Sequence, residues 1–404
     1  MPPSTSSPLP ATLRTLGEDL ARTLAAVLDA LPEAGQGPQR LGAAVGMDKV
    51  FAHRLLKCVH AGEPHAVLLA APGPDPLLRF VHAAEKRGAT TEDVTSAAAV
   101  LERFRSVLRE EVGDRSKLDA ILTAYVPEAR VEFELRRKQA VFKAQSQLKG
   151  ISAATNFGAV FLHPSAAPEH AGMADVVWVA GLYGLQRWQP GARTKVSTRR
   201  FVVDGEDRRP TTLAGERVEG LDGLRLDQFC AAPPAELAVR HVGETVHYVL
   251  AGDELGQKAN RDLVFAEVNV GELSATPRPG RRPYVFVEIS TPAKRLVFDV
   301  FVHHSLWTNL KPELGVYDTA FDGVVDVNDP AREIDRMQTS DLLTVLGQRP
   351  DQLVHAHVPH HAALLAHVHE ALGWDPSAFH GWRAAVDYPL YGAQVAVSFA
   401  PPGA

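Results

Sequence analysis

Cysteine is almost missing from this chain. Only Cys58 and Cys230 occur in 404 residues, far apart, which excludes a disulfide framework and fits a reducing compartment. No apolar run approaches the roughly 20 residues that a membrane-crossing helix needs. The Pro/Ser-rich start, Met1 to Pro10, lacks the basic stretch and long apolar region of a signal peptide. Residues 1–12 therefore read as a flexible leader, and a cytoplasmic location is expected. Also lacking are G-x-x-x-x-G-K-[ST], a G-x-G-x-x-G after a strand, H-E-x-x-H, C-x-x-C and G-x-S-x-G. Their absence removes the phosphate-cradling loop, the dinucleotide turn, the helical zinc motif and the nucleophile elbow, and no cofactor is expected.

What remains is the composition of an ordinary globular protein, 45% hydrophobic and 22% charged, in a chain longer than one core usually spans. The net charge of -6 argues against coating by nucleic acid over the whole surface. The charge is uneven, about +2 over residues 1–150 and -8 over the rest, so any contact with phosphates belongs to the first part.

Leu13, Leu16, Leu20, Leu24, Val27, Leu28 and Leu31 recur at helical spacing, and further helices are expected over about 39–45, 48–60, 77–86, 91–112 and 114–125. Thr90 with Asp93 resembles a capping box, and a long polar helix carrying Arg130, Arg136, Arg137, Lys138, Lys143 and Lys149 follows. After Gly150 the texture changes to alternating or β-branched runs: Val176–Ala180, Arg200–Val203, Thr245–Leu250, Leu263–Val270, Tyr284–Ile289 and Leu296–Val302. Thr291–Lys294 is placed to close a hairpin between the last two. Trp382, Ala384 and Val386 are expected to meet Val395, Val397 and Phe399 across another. One late helix, Pro359 to Leu372, is stopped by Gly373. The fold class expected is α+β: a helical domain over 13–126, a linker helix over 127–150 and a larger strand-rich α+β domain over 151–404.

Residues Gln39 to Lys57 read QRLGAAVGMDKVFAHRLLK. Gly42 supplies a small residue where two helices cross, and Gly46 a turn free to take positive φ. Leu41, Val45, Met47, Ala52 and Leu55 supply apolar contacts, and Asp48 can cap the second helix. Residues 39–57 resemble the helix-turn-helix of bacterial transcriptional regulators. The resemblance covers about 20 residues and implies that Lys49, Val50, His53, Arg54 and Lys57 face the major groove of DNA. Val50 and Phe51 depart from the polar pattern of a reading helix. Phe51 can turn inward, and Val50 suits a thymine methyl or a protein surface.

Nine of 17 histidines lie between 303 and 380. His355, His357 and His360 have the HxHxxH spacing of the metallo-β-lactamase zinc motif, but Pro359 replaces its aspartate and only 44 residues follow His360. No metal site is expected there. His303, His304 and Ser305 end a buried-type strand that also carries Asp299; polar caps are the simpler reading. Asp318, Asp322, Asp326 and Asp329 lack the spacing of a calcium loop. All five tryptophans follow residue 170, suited to a core or a ligand pocket. The leading expectation is a DNA-binding, homodimeric regulator with a C-terminal sensing or oligomerisation domain. The alternatives are a protein-interaction scaffold and a His-dependent metallohydrolase.

Overall fold

The computed structural model describes residues 8–401 apart from 201, 204, 205, 208, 233, 234, 244, 253, 308–310 and 348–352. It has the α+β class expected, with a helical N-terminal region followed by a larger strand-rich part. Two compact units result, Met1–Phe133 and Glu134–Ala404. The boundary falls inside the long polar helix rather than before it.

The helices of the first unit are α1 (Pro8–Asp29), α2 (Pro38–Val45), α3 (Lys49–Val59), α4 (Pro64–Ala70), α5 (Pro74–Glu85), α6 (Thr91–Ser106) and α7 (Arg115–Thr123). Helix α8 (Pro127–Lys149) runs across the boundary. Helix α1 begins at Pro8, so residues 8–12 are helical and not part of a leader. Its leucine stripe is the spine of the unit: Leu13, Leu16, Leu20, Leu24 and Val27 have no exposed surface. Gly17 lets α4 dock, because a Cβ there would lie 2.1 Å from the Pro64 carbonyl oxygen. Thr90 caps α6 by accepting from the Asp93 amide at 3.1 Å while its hydroxyl donates to the Asp93 carboxylate at 2.6 Å. The single helix expected over 91–112 continues past Ser106 as one wide π-type turn, Val107–Val112. Within the second unit, Lys138 of α8 is buried between Glu134 and Asp341, at 2.7 and 2.6 Å.

The strands are β1 (Ile151–Pro164), β2 (Met173–Arg187), β3 (Lys195–Arg200), β4 (Val202–Val203), β5 (Glu206–Asp207), β6 (Leu237–Val242), β7 (Thr245–Leu250), β8 (Arg261–Ser274), β9 (Tyr284–Glu288), β10 (Ala293–His303), β11 (Pro312–Asp318), β12 (Arg336–Met337), β13 (Leu343–Leu346), β14 (Phe379–Asp387) and β15 (Ala393–Phe399). The expected strand Arg200–Val203 falls partly on residue 201, outside the described residues. A six-stranded sheet has the order β13-β14-β10-β1-β2-β8, and a four-stranded sheet the order β12-β11-β15-β9. Strands β1 and β10 pair in parallel at the centre of the larger sheet, and the other pairs are antiparallel. The first sheet carries Val160, Phe298, Val300, Trp382 and Val386 into a core shared with Val316, Val395, Val397 and Phe399 of the second. Its opposite face, with Phe157, Phe161, Val177, Val297 and Phe301, is covered by Leu364, Leu365 and Val368 of α9 (His361–Leu372).

Two expected hairpins do not form. Strand β9 pairs with β15, and β10 with β1 and β14, so Thr291–Lys294 crosses from one sheet to the other. Likewise β14 and β15 lie in different sheets. Trp382 and Ala384 do meet Val397 and Phe399, but face to face through the core. Both chain segments are apolar enough to be buried on two faces, and that pattern leaves the pairing partner open. Helix α9 begins at His361, with His360 in the left-handed region at φ 54, two residues later than expected.

Candidate nucleic-acid interface

The corner between α2 and α3 is built as its residue types require. Gly46 sits at φ 70 and ψ 31, in the left-handed region where a side chain is strained. The Met47 amide donates to the Gly42 carbonyl at 2.9 Å, and a Cβ on Gly42 would lie 2.8 Å from the Met47 carbonyl oxygen. Only glycine permits that crossing. The Asp48 carboxylate accepts from the Phe51 amide at 2.7 Å and opens α3.

Helix α3 is two-sided. Phe51, Ala52, Leu55 and Cys58 are buried, with Phe51 turned inward onto Phe80 of α5 at a ring separation of 6.1 Å. Burial pushes the Cys58 thiol up to about 12, which leaves it an unreactive packing group. Lys49, Val50, His53, Arg54 and Lys57 are all exposed on the other side. Val50 is 69% exposed.

Arg54 differs from the others. Its guanidinium turns back along the fold, donating to the Ala71 carbonyl at 2.8 Å and the Ala70 carbonyl at 3.4 Å. Arg115 donates to Leu69 at 2.6 Å and Leu68 at 3.1 Å. Two arginines thus satisfy the last carbonyls of α4, at the negative end of its dipole. Arg54 is held as a helix cap, and the exposed side of α3 keeps Lys49 and Lys57, with His53 between them, free of such a role.

A second basic element was not picked out from the sequence. A groove of about 470 Å³ runs between the end of α2, at Ala44 and Val45, and α5, lined there by Arg79 and His82 and, just past the helix, by Lys86 and Arg87. Arg87 is tied to Glu33 at 2.7 Å, whereas Arg79 and Lys86 are exposed. Arg79, His82 and the capping Lys86 recur at helical spacing along α5 and its end, and that spacing was the signal available.

In the second unit the rings of His163, His303 and His304 pack together, His303 lying 4.7 Å from His163 and 4.4 Å from His304. Among the described residues no group of three His, Cys, Asp or Glu side chains is arranged to hold a metal ion. His360, the last member of the HxHxxH run, is exposed, while the adjacent His361 turns into the core, its Nε2 3.1 Å from Asp299. The rings of His355 and His357 lie side by side at 5.6 Å. Asp299 does not serve Ser305: both its oxygens accept from Arg383 at 2.6 Å, in the interior. His303 Nδ1 lies 2.8 Å from Ser305 Oγ, but it also accepts from the Ser305 amide at 3.3 Å, which makes the contact a local turn. Burial, and after it His163 and His304, hold the His303 imidazole below its usual value.

No protein-family model matches the chain, and no curated protein matches it in sequence. Among solved structures, a point mutant of the M1 zinc metallopeptidase from Deinococcus radiodurans matches with 12% identity and a TM-score of 0.25, over 61% of this chain and 42% of that one. A two-domain M1 zinc metallopeptidase mutant bound to L-arginine matches with 11% identity and a TM-score of 0.24, over the same shares. The chain thus spans less than half the length of these structures, and at such TM-scores the likeness carries no argument about fold or activity.

Proposed function

We propose that the chain is a DNA-binding transcriptional regulator whose α3 enters the major groove. The observation that carries this reading is the two-sidedness of α3, with Lys49, Val50, His53 and Lys57 exposed on one side and the other side buried. Lysines on that side contact phosphates, and Val50 meets a thymine methyl. The groove along α5 adds Arg79 and Lys86 for the flanking backbone. One short helix reads few base pairs, so a two-fold homodimer is the working assembly, with the strand-rich unit sensing a ligand or joining subunits. Such a regulator works in the cytoplasm; no described helix is long and apolar enough to cross a membrane.

Anisotropy titration of a labelled duplex at several salt concentrations tests the proposal. Binding should weaken steeply with salt, and the double substitution Lys49→Ala, Lys57→Ala should lower the slope of log K against log salt by about 2, roughly one per phosphate lost. No binding of the duplex at low salt, or binding insensitive to salt, would instead favour a protein-docking surface centred on the exposed Val50.

A further inference from the structure

One face of the six-stranded sheet is hollow where its neighbours are bulky. Gly158 of β1 pairs with Ala180 of β2, which pairs with Phe265 of β8; one step along, Trp178 pairs with Glu267. The two small residues floor a cavity of about 360 Å³, closed on one side by Phe286 and Glu288 of β9, an edge strand of the other sheet. Gly158 is what admits β9, since a Cβ there would lie 2.9 Å from Val287 Cγ1.

The lining has one chemical character. Trp178, Phe265 and Phe286 supply aromatic walls, the ionisable groups are the carboxylates Glu267 and Glu288, and no Lys, Arg or His takes part among the described lining residues. Glu267 is almost wholly buried and has an interaction of its own within the fold. Glu288 is exposed at the rim.

We propose that this cavity binds a small organic ammonium cation. Its alkyl groups pack on the indole and phenyl rings, whose negative faces attract positive charge, and its nitrogen lies near the Glu288 carboxylate. An anion would meet the Glu288 carboxylate at the rim, with no Lys, Arg or His among the described lining residues to attract it. The volume lies within the range of small-molecule sites, and the few polar groups beside apolar walls suit a ligand rather than a packing defect. The inference does not depend on the reading of α3.

Calorimetric titration of the full chain with choline, and with its uncharged carbon isostere 3,3-dimethylbutan-1-ol, tests it at low ionic strength. Choline is expected to bind at least about tenfold more tightly than the isostere, a difference near 1.4 kcal/mol. Glu288→Gln, at an exposed position, should lose most of that advantage without changing thermal stability. Ala180→Phe should fill the floor and abolish choline binding. Equal affinity for choline and the isostere, no heat with either, or unchanged choline affinity in Glu288→Gln would each overturn the proposal. If Ala180→Phe lowers thermal stability, the isostere comparison and Glu288→Gln still decide it.

Discussion

Replacing Arg383 by methionine is expected to be among the most damaging single changes in the strand-rich unit. Arg383 holds Asp299 through two 2.6 Å hydrogen bonds, and the two side chains are 7% and 0% exposed. Without the guanidinium, a carboxylate stays in the interior with only the His361 ring 3.1 Å away. Breaking one side of such a buried pair costs about 3–5 kcal/mol. The same arginine donates to the Leu353 carbonyl at 2.7 Å, so the segment leading to α9 loses an anchor as well.

The assay is selective. All five tryptophans lie after residue 170, so indole fluorescence during urea unfolding reports the second unit alone. With a slope of about 2–3 kcal/mol per molar urea for a unit of this size, the midpoint should fall by roughly 1–2 M. Asp299→Val combined with Arg383→Met should recover much of the loss, because an apolar pair of similar volume removes the stranded charge. As a control, Arg295→Met breaks the half-exposed pair with Asp387 and should cost no more than about 1 kcal/mol. A midpoint for Arg383→Met within that control's shift, or a double variant less stable than the single, would refute the reasoning.

Three further outcomes follow from local geometry. Arg54→Met should remove a cap from α4 and lower helix stability by about 1 kcal/mol, measured by circular dichroism. The salt slope of DNA binding should stay unchanged, and a slope reduced as in the lysine variants would mean that Arg54 leaves its carbonyls for phosphate. Gly42→Val drives a Cβ to 2.8 Å from a backbone oxygen and should cost about 1–3 kcal/mol; wild-type melting would contradict the tight crossing. Burial, followed by the charges of Arg383 and Arg295, pushes His355 down to about 4. An unfolded chain with a histidine near 6.5 then binds more protons than the native one, so this contribution is present above pH 6.5 and fades as pH falls toward about 4. His355→Gln should flatten the urea midpoint between pH 7 and pH 5, and an unaltered pH profile would count against a half-buried neutral imidazole.

The helical unit was largely legible because its signals are local. The α1 stripe, the Thr90 and Asp114 caps and the Gly46 corner each lie within a few residues of sequence, and each has the geometry its residue types imply. What stayed hidden in the candidate interface was a contact between residues distant in sequence. Arg54 sits on the outer side of α3 by helical phase, and only the arrival of the α4 terminus, sixteen residues on, commits its charge. The same limit hid the groove, since nothing in Arg79, His82 and Lys86 announces that the end of α2 lies alongside.

The strand-rich unit was less legible for a reason its own sequence contains. Strand β1 holds the centre of the larger sheet, yet Ala153, Ala154, Asn156 and Gly158 break its β-branched texture, so it gave no strand signal. Gly158 among them is also what leaves room for Val287 of β9 and, with Ala180, for the hollow. In the neighbouring β10 the opposite holds: Leu296, Phe298, Val300 and Val302 fill one core, Val297 and Phe301 the other, and Asp299 is the one charged member of the buried run. A strand apolar on both faces declares its burial but not its partners. A strand thinned for a close approach declares neither, and in this fold the larger sheet is organised around one of each.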